Sequence, residues 1–130
     1  MAATRKAQAK GQKVTFPQRG DIYLVSFDPA AGSEIQKTRT ALVIQNDIGN
    51  QYSPITIVAA ITSKFDLPPY PTEVVMEPRD SGLSQTSAVV LNQIRSVDRQ
   101  RLIKRVGKAS PEVMSRVDRA IQISLGLVEI

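Results

Sequence analysis

Apolar positions fall into short runs broken by clusters of Pro, Gly, Asn and Asp, a pattern that changes only near the C-terminus. The first run, residues 22–27, is rich in β-branched and aromatic side chains. Asp28 and Pro29 end it, since Pro offers no ladder donor and restricts the residue before it. Residues 40–44 follow as a second strand, apolar without a break from Ala41 to Ile44, which predicts burial on both faces. Residues 55–61 form a third and deliver Thr62 and Ser63 to its far end. A short strand at 72–77 and a fifth at 88–94, with the amides Asn92 and Gln93 near its end, continue the series. Between these runs, residues 46–50 read as a turn extended to Pro54, and 64–71, with Pro68, Pro69 and Pro71, as an irregular loop. Residues 78–82 read as a second turn, followed by a single helical turn over 83–87.

Beyond residue 94 the chain becomes basic, with Arg95, Arg99, Arg101, Lys104, Arg105 and Lys108 against Asp98 alone. A turn over 98–101 and a strand over 102–108 fit it. The charges suit either a phosphate-binding face or a solvated edge strand, where Lys and Arg discourage pairing with other chains. At Ser110 the period becomes helical: Ser110 is the N-cap, Pro111 the first helical residue, and Glu112 favours the positive end of the dipole. Val113, Val117, Ala120, Ile121, Ser124 and Leu125 form the packing stripe, with Met114 beside it, while Glu112, Arg116 and Arg119 face water. Gly126 stops the helix, leaving 127–130 as a short strand or docked tail. The economical architecture is mainly β, a six- or seven-stranded, strongly curved antiparallel sheet closed by one C-terminal helix.

Composition narrows the chemistry. A chain of 130 residues makes one domain. It has no apolar run of membrane-spanning length and no signal-peptide pattern, so a soluble, unexported, cytoplasmic protein with no membrane partner is expected. Cys is absent, which excludes disulfides, thiolate metal sites and cysteine nucleophiles. His is absent too, removing the usual neutral-pH base, the commonest zinc ligand and every Ser-His triad. The twelve Asp and Glu are scattered singly, so neither a metal nor a cofactor is expected. The net charge of +5 is a property of the tail: residues 1–19 carry Arg5, Lys6, Lys10, Lys13 and Arg19 without an acid, and the rest is formally neutral. Residues 1–18 read as a disordered basic arm or tolerated extension, and 19–130 as the domain.

Residues 32–40, between the first two strands, hold Ser33, Glu34, Lys37, Thr38 and Arg39. Such a set can bind an anion, move a proton and stabilise a phosphorane. A plain polar connector has the same composition.

Taken together, Arg19-Gly20-Asp21-Ile22-Tyr23, Gly32-Ser33-Glu34, Arg39, Val43-Ile44-Gln45-Asn46-Asp47, Ser53-Pro54 and Leu91-Asn92-Gln93-Ile94-Arg95 closely resemble the MazF/PemK family of toxin endoribonucleases. Val117-Asp118 and Ser124-Leu125-Gly126-Leu127 match as well, so the likeness runs from Arg19 to the C-terminus. It implies an SH3-like barrel of the MazF/PemK/CcdB type with a C-terminal helix. It also implies a homodimer, a MazE-like antitoxin with an acidic disordered segment, and DNA contact only through the antitoxin complex. The implied activity is metal-independent cleavage of single-stranded RNA at short sequences. The family's principal catalytic groups, an arginine opening the second strand and a threonine ending the third, fall on Arg39 and Thr62 here.

Attack by the RNA's own 2′-hydroxyl on the adjacent phosphate needs neither His nor metal. It leaves a 2′,3′-cyclic phosphate and a 5′-hydroxyl. Arg39 would stabilise the phosphorane, with leaving-group protonation as a second task for which a guanidinium is a poor acid. Thr62 would hydrogen-bond the scissile phosphate. Glu34 is the candidate base or else a loop salt bridge, and Ser33, Lys37, Asn50, Gln93 and Arg95 are candidate RNA-binding residues. Thr40 stands where the family places proline, which is expected to loosen Arg39. A gyrase-poison-like toxin on the same barrel and a nucleic-acid-binding regulator without chemistry are the alternatives.

Overall fold

The computed structural model describes residues 16–27 and 38–130. Ser33, Glu34 and Lys37, and most of the basic arm, lie outside the described residues. Pro17 is buried, and Gln18 exchanges bonds with Asp21, its amide meeting the carboxylate and its carbonyl the Asp21 amide, each at 2.9 Å. Phe16 to Gln18 therefore lead directly into the fold.

Six antiparallel strands make one sheet in the order β4-β5-β3-β2-β1-β6. They are β1 (Asp21–Ser26), β2 (Thr38–Val43), β3 (Ile55–Thr62), β4 (Glu73–Met76), β5 (Ser87–Asp98) and β6 (Leu102–Lys108). Among the described residues three helices punctuate them, α1 (Asp47–Tyr52), α2 (Pro78–Ser81) and α3 (Pro111–Ser124), with a 3-10 turn at Arg99–Arg101. The uninterrupted apolar run of β2 is explained by full burial of Ala41, Leu42 and Val43 on both sides of the sheet.

One face meets α3. Ile22, Leu42, Ala59, Ile61, Val74, Met76, Val89 and Leu91 form a core with Val113, Val117 and Ala120 of the helix, and Met114 and Ile121 pack at its margin. Ser110 caps α3 by accepting the Val113 amide at 3.2 Å. At the other end Gly126 adopts a left-handed φ of 75°, and the Leu127 amide reaches back to the Gln122 carbonyl at 2.8 Å. The opposite face holds a second cluster, Val25, Ala41, Val43, Val58 and Val97, edged by Tyr23, Phe27 and Leu102.

A wide bulge in β5 explains how one long strand serves both clusters. Ala59 pairs with Ile94, but its neighbour Ala60 pairs with Val90, so residues 91–93 bow out of the ladder. Before the bulge Val89 and Leu91 face α3; after it Ile94 does, and Arg95 and Val97 turn to the other face. The sheet is not closed by hydrogen bonds, yet it curls until its ends meet through α2. A side-chain carbon on Gly107 of β6 would collide with the carbonyl oxygen of Ser81, which makes glycine obligatory there.

Four expectations are corrected. The run at 46–54 is not a plain turn: Asn46 accepts the Gly49 amide at 2.7 Å and starts α1. Helical geometry falls on Pro78–Ser81, where Pro occupies the first turn, and not on 83–87. Strand β5 runs on to Asp98 rather than stopping at Ile94. Leu125, placed in the packing stripe, is 61% exposed, and of the two readings left open for residues 127–130 the strand is not formed.

Candidate active site

The β2–β3 ladder pairs Val43 with Val58, Leu42 with Ala59 and Ala41 with Ala60. Arg39 stands two residues before Ala41 on β2 and Thr62 two residues after Ala60 on β3, just past the last paired step, and the period of two puts Arg39 in phase with Ala41 and Val43 and Thr62 in phase with Val58, on the side away from α3. Both line an open cleft of about 420 Å³ at the end of the sheet. Thr38, Thr40, Ser63 and Lys64 continue that wall, and Leu83, Ser84, Gln85 and Ser87, from the segment entering β5, form the opposite one.

Arg39 is exposed and, among the described residues, makes no side-chain hydrogen bond or ion pair. Its backbone pairs with Val25 of β1, and Thr40 pairs with Leu24. The ladder thereby holds this stretch extended, doing what proline at position 40 would do. Thr62 Oγ1 accepts the Lys64 amide at 3.0 Å and donates to the Lys64 carbonyl at 3.2 Å. This local turn points the hydroxyl's position by main-chain contacts alone. Among the described lining residues the only charged groups are Arg39 and Lys64, both cationic. Six hydroxyls surround them, on Thr38, Thr40, Thr62, Ser63, Ser84 and Ser87. The arrangement suits a phosphodiester: positive charge with no carboxylate among the described lining residues, and short hydroxyl side chains around it.

The other expected RNA contacts divide. Gln93 is exposed in the β5 bulge. Arg95 follows it on the cleft side of the sheet, its guanidinium 4.9 Å from the centre of the Phe27 ring. Asn50 is corrected. It is completely buried, and its carbonyl oxygen accepts Thr56 Oγ1 at 2.7 Å and Gln45 Nε2 at 3.0 Å. Its amide nitrogen donates to the Gln45 carbonyl and to Asp47. No hydrogen-bonding capacity is left for a base edge.

Several residues of the matched motifs are also structural. Arg19 donates from its backbone to Asp47 at 2.6 Å, from Nε to the Ile44 carbonyl at 2.8 Å and from a terminal nitrogen to Asp118 at 2.7 Å. It pins β2, α1 and α3 together. Asp21, buried beside β6, lies 3.4 Å from Arg105 and 3.5 Å from Lys108. Burial above all, then the negative charge of Asp21, pushes the Tyr23 phenol above its ordinary value of 10.0, against an opposing pull from Arg105. Lys64, Ser84 and Gln85 were not singled out as site residues. Lys64 is brought in by the turn that its backbone makes with Thr62 past the end of β3, and Ser84 and Gln85 by topology alone.

Residues 18–125 match the family model described as PemK-like, MazF-like toxin of type II toxin-antitoxin system. Endoribonuclease EndoA of Bacillus subtilis is 44% identical over 112 residues, covering 86% of this chain and 97% of that protein. The solved MazE-MazF structure (Form-II) from Deinococcus radiodurans superposes with a TM-score of 0.72 at 26% identity, over 86% of this chain and 97% of that one. A mycobacterial endoribonuclease solved with its cognate antitoxin has the same fold, with a TM-score of 0.73 at 24% identity and coverage of 88% and 99%. With the match spanning nearly the whole described domain, the chain belongs to the PemK-like, MazF-like toxins of type II toxin-antitoxin systems.

Proposed function

We propose that this protein is a cytoplasmic endoribonuclease toxin that cuts single-stranded RNA at short sequences, works as a homodimer and is held inactive by a MazE-like antitoxin with an acidic, disordered segment. DNA contact arises only through the antitoxin complex. The observation that carries the reading is that Arg39 and Thr62 line one open cleft whose described lining residues include no carboxylate. A phosphate seated between them receives two hydrogen bonds from the fork of Arg39, whose charge matches the dianionic phosphorane better than the monoanionic diester, and one from Thr62, whose hydroxyl turns from the Lys64 carbonyl to give it. The substrate supplies its own nucleophile, the 2′-hydroxyl, so positioning and charge stabilisation carry the step without a metal. Glu34, from the loop leading to β2, takes the 2′-hydroxyl proton. Ser33 and Lys37 from that loop, with Gln93 and Arg95 from the β5 bulge, hold the flanking nucleotides.

The test is one incubation of purified protein with a long RNA in EDTA, with the ends mapped. Cuts at a few short sequences, 2′,3′-cyclic phosphate and 5′-hydroxyl termini, and survival of the matching DNA are expected. Arg39→Ala and Thr62→Ala should each slow cleavage by about 100- to 1,000-fold. Intact RNA, or undiminished cleavage by both variants, overturns the reading.

A further inference from the structure

We propose that Phe27 is a positioning residue of the RNA site: its ring holds the Arg95 guanidinium in place for a phosphate flanking the cut. This deepens the endoribonuclease reading above and rests on it. The contact joins distant parts of the sheet. Arg95 of β5 pairs with Val58 of β3, and β2 lies between β3 and β1, yet the guanidinium carbon sits 4.9 Å from the centre of the Phe27 ring, just past the end of β1. Two features of the fold bring the groups together. The bulge over residues 91–93 turns Arg95 to the face opposite α3, and the curl of the sheet sets the end of β1 against that same face.

Packing alone does not call for a charge there. Phe27 edges the cluster of Val25, Ala41, Val43, Val58 and Val97, and an apolar side chain at position 95 would cover it as well. Arg95 is instead exposed, and the ion pairs among the described residues use Arg19, Arg105 and Lys108. The negative face of the ring attracts the guanidinium, whose N–H donors lie in its own plane, where a phosphate can meet them. An arginine held in this way also loses less freedom on binding RNA than a loose one would. Positive charge gathers at this end of β1: Arg39 is the ladder partner of Val25, and Arg101 donates to the Ser26 carbonyl at 3.4 Å. Arginines from three segments thus stand at residues 25, 26 and 27 in succession, and a nucleic-acid strand, with its regular repeat of phosphates, fits such a row.

The test is a double-mutant cycle on affinity for an RNA that carries the mapped cleavage sequence with a 2′-deoxy sugar at the cut, so that it binds without being cleaved. Phe27→Leu, which keeps an apolar side chain and loses the ring, should weaken binding about three- to fivefold, whereas Phe27→Tyr should bind as wild type does. In the Arg95→Ala background the same Phe27→Leu change should alter affinity by less than about 1.5-fold, because no guanidinium is left to hold. Pentafluorophenylalanine at position 27 keeps the shape of the ring and reverses the charge of its face, so it should weaken binding as Phe27→Leu does, and it serves equally if the leucine variant fails to fold. Wild-type affinity in the fluorinated protein, or equal losses with and without Arg95, would each overturn the assignment and leave Phe27 as packing. Either result alongside wild-type cleavage of RNA would sink this inference alone; a wild-type protein that leaves RNA intact would sink the reading beneath it.

Discussion

Two polar clusters flank β3, one at each end, and they are built on opposite rules. At the start of β3, Asn50, Gln45, Thr56 and Asp47 exchange hydrogen bonds until Asn50 has none to offer, and Arg99 adds two from its guanidinium to the Asn50 and Ser53 carbonyls at 2.9 and 3.1 Å. At the end of β3, Thr62 bonds only to its own turn, and Arg39 and Lys64 have no charged partner among the described residues. Residue types do not tell the two apart. What differs is whether the groups satisfy one another or remain open to a ligand, since buried polar groups are stable only when paired and exposed ones are free to bind. The first cluster should therefore govern stability and the second rate.

The sharpest way to break that division is to damage each cluster and read both properties. Arg39→Ala should lose about 1,000-fold in cleavage with an unchanged Tm. Adding Thr62→Ala should cost little more, because both groups act on one phosphate and such losses are not additive. A Tm fall of several degrees in Arg39→Ala would show the cleft to be structural after all. Asn50→Ala should do the reverse. It strands the Thr56 hydroxyl and the Gln45 carbonyl, and unpaired buried groups cost about 1–3 kcal/mol each, so a loss of about 3 kcal/mol and a Tm lower by about 10 °C are expected by thermal melting. Cleavage per folded molecule should stay within about threefold of wild type; a collapse there would return Asn50 to the RNA site.

The same contrast explains what was legible in the sequence. Strands β1, β2 and β3 were plain because β-branched runs between Pro and Asn clusters have few other ways to fold, and α3 because Ser110 and Pro111 mark a helix start chemically. Helix α1 was hidden because Asn46 and Asp47 serve a turn and an N-cap equally well. What selects the helix is Asn50 meeting Thr56, a contact between segments. The end of β5 was misjudged for a related reason. The bulge over 91–93 exchanges the faces of odd and even residues, so alternation read through it looks like the end of a strand. Arg39 and Thr62 were reached through family likeness, not spacing. Their meeting at one cleft depends on the β2–β3 pairing, as the arrival of Ser84 and Gln85 depends on the curl of the sheet, and neither is written in any local stretch.

A smaller effect is expected where the open region meets the rim of the sheet. Arg95 rests on Phe27 yet stays exposed, so one side of its planar guanidinium is available to a base or phosphate. Arg95→Ala should weaken RNA binding about 10-fold, lower the slope of log affinity against log salt by about 1, and leave the position of Arg39 and hence the bond cut unchanged. Binding with the wild-type salt slope would show that Arg95 serves only to cover Phe27.

The smallest effect falls on the closed side and is read through pH. Tyr23 neighbours Asp21 and Arg105, and burial together with the Asp21 charge raises its phenol above 10.0 in the folded protein. The sign follows from proton linkage: above that value the unfolded chain releases a proton that the native state still holds, so folding stability is intact below about pH 10 and declines as pH rises through the native value. Tyr23→Phe removes this titration. Its Tm should fall less steeply than that of wild type between about pH 9.5 and 11, a modest difference because the ring is only half-buried. Its cleavage rate per folded molecule should match wild type throughout. A parallel pair of Tm curves would mean that the pull of Arg105 offsets burial and Asp21 together, whereas a changed rate at constant Tm would place the phenol in the reaction and erase the boundary between the two regions.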